Sequence, residues 1–493
     1  MAEKARITTG IPGLDEILQG GLIPKDSYLV RGEAGSGKTT LGLHFLCAGK
    51  DDKNSSLFIS LSEPRDKIIR NARTRGFPAE KIEFLDLSPS NQFVEEEDYN
   101  IFPSEEIEQQ PLLETITEKI KSSGADRIFI DGLTQLRFLS RDEYRFRKNI
   151  QSLIKLMADV EATPVLVSEV GSRPDDDLKF ISDGIINLMR EGRERKVSIG
   201  KIRGSGFKKG SHTYILNEEG MRVYPGLTPD FSPAAGKKMN NEAISSGIPE
   251  IDKLLHGGIE RGTNTIITGP TGSGKTSLGL TFMKEAAGRG ERSVIYLLEE
   301  SGEVLKQRSK SINIPIDEMI ANRQLELNSV NRGELTPDIF VHQVKEEVEK
   351  NNTKLVMLDS ITAFNSSFKN ENRGKSDLIK VLDSLRRFLF NHNVTILMTN
   401  EISNITGDFQ VTDDQISYLA DNIIILRYIE LSGGMHKAIG VLKKRLSSFE
   451  TMLREFKITE YGLEVGDPMK NLSGILTGDP EFSPDQIESS RDD

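Results

Sequence analysis

The chain is written twice. Thr9–Leu22 (TGIPGLDEILQGGL) recurs as Ser246–Ile259 (SGIPEIDKLLHGGI), 237 residues later. The same interval separates GEAGSGKTT (Gly32–Thr40) from GPTGSGKTS (Gly269–Ser277), and LGLHF (Leu41–Phe45) from LGLTF (Leu278–Phe282). A period as long as a domain indicates tandem duplication and not a solenoid of small repeats. Whatever one half folds into, the other half must fold into as well. The 493 residues suit this, since domains run to roughly 100–200 residues each.

Within each copy, short apolar runs alternate with helix-periodic segments. SYLVRG, SLFISLSE, DRIFIDG and TPVLVSE in the first half match TNTIITG, SVIYLLEE, KLVMLDS and VTILMTNE in the second. Near-continuous apolar runs suit strands buried on both faces, hence a mainly parallel sheet flanked by helices. RKNIQSLIKLMADV and SDLIKVLDSLRRFLF supply the helical period. The expected fold class is α/β, with domains over 1–226 and 246–465. A Pro- and Gly-containing linker spans 227–245, and 466–493 forms an acidic, flexible tail. The polar stretch NQFVEEEDYNIFPSEEIEQQP in the first half reads as a solvated surface loop.

Both glycine loops fit GxxxxGK[ST], each after an apolar strand and before a helical segment. Glycines let successive backbone N–H groups turn toward phosphate oxygens at the positive end of a helix. The expected ATP contacts are Gly32, Gly35, Ser36, Gly37, Lys38, Thr39 and Thr40. Their second-copy equivalents are Gly269, Thr271, Gly272, Ser273, Gly274, Lys275, Thr276 and Ser277. Thr39 and Thr276 are expected to hold Mg²⁺ with Asp131 and Asp359, the acids closing RIFID and LVMLD. A strand-end cap is the alternative reading of each acid. A base must also polarise the attacking water or hydroxyl. The candidates follow the second strand: Glu63 in SLSEP, and Glu299 and Glu300 in LLEES. Ser62 stands where the second copy has Glu299, so the first copy carries half of the pair.

Composition narrows the class. A net charge of −11 and a pI near 5.4 argue against a dedicated duplex-DNA binder, which displaces counterions with dense Lys and Arg. The single cysteine, Cys47, rules out an internal disulfide scaffold and a cysteine-rich zinc site. The first residues lack the apolar core of a signal peptide and no run reaches membrane-helix length, so a cytoplasmic enzyme is expected.

SGIPxxDxLLxGG, GPTGSGKT, YLLEES and LDSITAF together resemble the KaiC family of clock ATPases, from about residue 6 to 465. The resemblance implies two tandem RecA-like P-loop NTPase domains in a double-ring homohexamer, with ATP between neighbouring subunits. It implies hydrolysis in both domains, serine/threonine autokinase activity in the second, and partners that include the chain itself and KaiB-like or other signalling proteins. It implies that Lys201 and Arg203 (KIRGSG), and Lys443 and Arg445 (KKRLSS), reach ATP from the neighbouring subunit. A solvated charged strand is the other reading. VTDDQISYLADNIIILRY aligns with the family's phosphoacceptor segment. Ser417 falls on an acceptor and Tyr418 replaces the usual threonine, which leaves Ser417 as the candidate; an ordinary polar helix serine is its rival reading. Two other classes compete with this switch-like ATPase. One is a RecA-like, DNA-dependent recombinase or helicase. The other is a scaffold that uses ATP only to hold a ring together.

Overall fold

In each half of the chain, neighbouring residues along a strand are apolar whichever side they face. That pattern needs cover on both sides of the sheet, and both sides have it. The computed structural model describes residues 5–49, 55–88, 105–138, 140, 142–170, 176–192, 194–226, 242–330, 336–367, 375–402, 420–431, 433–469, 472–473 and 481–482. The chain divides into two compact units, 1–228 and 229–493.

The first unit is built on a nine-stranded sheet. Its strands are β1 (Tyr28–Gly32), β2 (Ser56–Ser60), β3 (Glu83–Asp86), β4 (Arg127–Asp131), β5 (Thr163–Glu169), β6 (Gly184–Glu191), β7 (Glu194–Ile202), β8 (Ser211–Asn217) and β9 (Gly220–Tyr224). They lie in the order β3-β2-β4-β5-β1-β6-β7-β8-β9. β1 to β6 run parallel, and β7 to β9 extend the sheet as an antiparallel meander. A short pair, β10 (Ala243–Ile244) and β11 (Ile259–Glu260), opens the described part of the second unit. Its main sheet comprises β12 (Asn264–Gly269), β13 (Ser293–Leu297), β14 (Leu325–Ser329), β15 (Leu355–Asp359), β16 (Thr395–Glu401), β17 (Asn422–Leu431), β18 (Gly434–Lys444), β19 (Arg454–Thr459) and β20 (Gly462–Pro468). The order is the same permutation, β14-β13-β15-β16-β12-β17-β18-β19-β20. The duplicated sequence thus folds as a duplicated, mainly parallel sheet flanked by helices.

Alternation sorts the first unit's core into two layers. Tyr28, Val30, Phe58, Phe129, Val165 and Val167 pack on one face with the helix Lys38–Cys47. Leu29, Leu57, Ile59, Ile128, Ile130 and Leu166 pack on the other with the helix Glu143–Asp159. Cys47 is half-buried against the first layer, and burial pushes its thiol up to about 11.

One expectation needs correction. The polar stretch read as a surface loop ends in a helix, Glu105–Ser123, which carries Pro111 inside it. Ile116 and Ile120 of that helix are buried in the second layer, and this packing holds the helix against its polar composition. The antiparallel strands β8, β9, β19 and β20 also carried no apolar-run signal.

Gly42 lies where the loop helix crosses β4, and a Cβ there would approach the Phe129 ring to 2.3 Å. Its equivalent Gly279 meets Met357, at 2.7 Å. A phenyl ring cannot fold aside as a thioether can. Gly42→Ala is therefore expected to destabilise the first unit by about 1–3 kcal/mol through overpacking. Gly279→Ala should cost the second unit less. Urea unfolding followed by circular dichroism compares the two.

Candidate nucleotide sites

β1 ends at Gly32 and β12 at Gly269, and each phosphate loop must turn from there into a helix. Gly37 and Gly274 make that turn with φ of 92° and 109°, a region L side chains avoid. Both are helix N-caps without a side-chain cap hydrogen bond. The first-turn amides are thus left for a ligand, at the end of the helix that favours anions.

The other loop groups repeat between the units. Lys38 donates to the carbonyls of Gly32 and Glu33 at 2.9 and 2.8 Å, and Lys275 to those of Gly269 and Pro270 at 2.9 and 2.8 Å. Burial lowers the pKa of both lysines, and nearby carboxylates partly oppose it. The hydroxyls of Ser36 and Ser273 are buried without a hydrogen-bond partner among the described residues. Such orphans are costly unless something supplies a partner, and phosphate oxygens do so. Thr40 and Ser277 are buried in the first helical turn. A Cβ on Gly35 would meet open space, whereas one on Gly272 would approach the Tyr428 hydroxyl.

The Thr39 hydroxyl donates to Asp131 at 2.7 Å and that of Thr276 to Asp359 at 2.9 Å. Burial raises the pKa of Asp131, against the Thr39 hydrogen bond and the Lys38 charge. One hydroxyl and one carboxylate from protein, with water and phosphate completing the shell, is the oxygen set that Mg²⁺ takes. The residues fit the group.

The carboxylates that follow β2 and β13 lie in the turn beyond each strand, and here the units diverge. Glu63 accepts from Lys67 at 2.9 Å and is 42% exposed. Glu299 accepts from Ser360 at 2.6 Å, and Glu300 from Arg308 at 2.7 Å. Burial raises the pKa of Glu300; Arg308 works against it, while Asp359 and Glu299 add to it. Gly132 occupies the place of Ser360 in the first unit, and Ser62 that of Glu299; the two lie against each other. Carboxylate and serine are thus replaced together.

Lys201 and Arg203 lie at the opposite end of the strands from their own loop. Lys201 pairs with Ile185, which pairs with Leu29. The Arg203 amide donates to Asp183, whose own amide donates to Ser27. Ser27 is five residues before Gly32, or roughly 16 Å along the strand. Lys443 and Arg445 repeat this against Ile423 and Asp421, level with Asn264. Lys201 and Arg203 also donate to the carbonyls of Lys179 and Phe180, at 2.6 and 2.9 Å. Asp183 and Asp421 correspond, so Lys179 and Phe180 stand where Ser417 and Tyr418 stand in the second copy. Ser417 itself lies outside the described residues.

The strand-end acids Glu169 and Glu401 were missed by sequence reasoning. They pair in register with the loop glycines Gly32 and Gly269. The only signal was their place as last residue of TPVLVSE and VTILMTNE. Tyr428 and Lys437 were missed too; they donate to the carbonyls of Thr271 and Gly272 at 3.3 and 2.9 Å.

A family model described as the KaiC ATPase matches residues 7–228 and again 244–470. The chain is similar to the circadian clock protein KaiC3 of Synechocystis sp., 28% identical over 97% of this chain and 95% of that protein. It is similar to the circadian clock oscillator protein KaiC of Picosynechococcus sp., 29% identical over 96% and 92%. The KaiC of Synechococcus elongatus is 27% identical over 97% and 92%. No helix among the described residues is long and apolar enough to cross a membrane.

Two equivalent loops predict two equivalents of ATP per chain. Lys38→Ala and Lys275→Ala should each remove one of them, read by equilibrium dialysis with labelled ATP and Mg²⁺.

Proposed function

The chain belongs to the KaiC family of ATPases, and from that premise we propose that it hydrolyses ATP in both units and transfers phosphate to its own Ser417 in the second. We read it as a cytoplasmic homohexameric double ring that serves as a timing or signalling switch, its geometry read by a KaiB-like or other partner. The observation that carries the reading is the twofold recurrence of one constellation. In both units a loop lysine, an orphaned serine hydroxyl and a threonine–aspartate pair converge on one glycine loop.

Loop amides and Lys275 hold the triphosphate, while Thr276 and Asp359 would hold Mg²⁺. The metal, when bound, draws charge from the phosphate oxygens. Glu300, whose pKa is raised by burial, accepts the proton of the attacking hydroxyl or water, and Ser360 orients Glu299 beside it. Burial and the adjacent arginine lower the pKa of Lys201 and of Lys443. An anion brought against such a cation pair opposes that lowering, and a phosphate of a neighbouring subunit's ATP is the anion proposed. Cations placed there stabilise transition-state charge. The support for a neighbour is distance, because these residues lie at the end of the strands away from their own loop. What supports Ser417 as acceptor is the contact of the same cations with the equivalent Lys179–Phe180 in the first unit.

Mass spectrometry after incubation with Mg-ATP should show phosphate on Ser417. Glu300→Gln should abolish it while ATP remains bound, and Arg445→Ala should lower it at least tenfold. An unmodified Ser417 under every nucleotide condition overturns the kinase half of the reading and leaves an ATPase. Light scattering with ATP should give six chains per particle.

The pH profile supplies a second check. Arg308 holds the Glu300 pKa down, so Arg308→Gln should raise it further. A base with a higher pKa stays protonated to higher pH. The acid limb of second-unit turnover should therefore move to higher pH in Arg308→Gln.

A further inference from the structure

Of the acids that β2, β4 and β5 bring to the first phosphate loop, all are engaged or replaced with one exception. Asp131 accepts from Thr39, Glu63 is tied to Lys67, and Ser62 stands where the second unit has Glu299. The exception is Glu169. It closes β5 in register with Gly32, and the next amide, that of Val170, donates to the Gly32 carbonyl at 3.3 Å. The Glu169 amide reaches the Thr134 hydroxyl at 3.5 Å, which anchors the residue's backbone. Its side chain is exposed, and its carboxylate has no hydrogen bond or ion pair among the described residues. Of the charges acting on Lys38, Glu169 is the largest, ahead of Asp131. In the second unit the equivalent Glu401 is occupied by the Thr271 hydroxyl. The first loop has Ala34 at that position and offers no such donor.

We propose that Glu169 is the proton acceptor for hydrolysis in the first unit, taking the role that the Glu299–Glu300 pair fills in the second. The step is a displacement at the γ-phosphorus. A water lone pair forms the new P–O bond, and the bond to the β,γ-bridging oxygen breaks with its electron pair leaving on ADP. The water proton passes to the Glu169 carboxylate and from there to solvent. The products are ADP, phosphate and a proton. A carboxylate beside a triphosphate is repelled by it in the ground state. It is useful once the water begins to lose its proton. This inference rests on reading the first unit as an ATPase.

The test uses the full chain carrying Glu299→Gln and Glu300→Gln, so that turnover comes from the first unit. Lys38→Ala in that chain defines the background. Adding Glu169→Gln should lower Lys38-dependent turnover at least a hundredfold, within the range of roughly 10²–10⁴ for general base catalysis. Affinity for a fluorescent ATP analogue should rise at least twofold, because a charge that opposes the triphosphate has been removed. A merely structural role would lower both. Lys38-dependent turnover that survives Glu169→Gln within threefold overturns the proposal alone. No Lys38-dependent turnover in the parent overturns the reading of the first unit as an ATPase, and the proposal with it.

Discussion

Each unit depends on a join between a buried strand and a helix whose first amides lack a side-chain cap. β1 must end at Gly32 and the helix must begin at Lys38, so the loop between them has little freedom. Uncapped amides at the inner end of a helix would be a liability in a protein with no ligand for them. Here they set the rest of the site. Thr39 leaves the first turn toward Asp131 at the end of β4, and Glu169 arrives at the loop because β5 neighbours β1. The sheet order, with β5 and β6 on either side of β1, places these groups at one end of the strands and the Lys201–Arg203 cations at the other.

The parts of the fold legible in the sequence are those buried on both faces. Strands β1, β2, β4 and β5 announce themselves because Leu29 and Val30, or Ile128 and Phe129, meet apolar helices on opposite sides. β3 at the edge has no fully buried residue, and its EFLD carries little signal. Among the site residues, Lys38, Thr39 and Asp131 are fixed by local pattern. Glu169 and Ser360 are not, because their meaning comes from pairings across 137 and 61 residues. A strand-final glutamate looks the same whether it faces solvent or a phosphate.

Duplication has kept the frame and let the chemistry drift. Sheet permutation, loop dihedrals, lysine contacts and threonine–aspartate pairs agree between the units closely enough to be described once. The differences gather around the position where water or a hydroxyl would attack. Ser62 with Gly132 replaces Glu299 with Ser360, Ala34 replaces Thr271, and Arg190 and Arg195 stand where Tyr428 and Lys437 touch the second loop. Packing constrains the frame residues through many neighbours, whereas the site residues answer to few.

The separation of loop and cations along the strands also bears on any assembly that joins them. A twofold contact would join them reciprocally, each copy's cations on the other's loop, and would have to fit both meetings into one interface. Joining one copy's cation end to the next copy's loop end uses unlike patches, and each added chain presents a fresh end. Such a head-to-tail contact has no natural end unless its rotation closes on itself. With these groups at opposite ends of the strands, every head-to-tail contact leaves one loop and one cation pair open for a further copy.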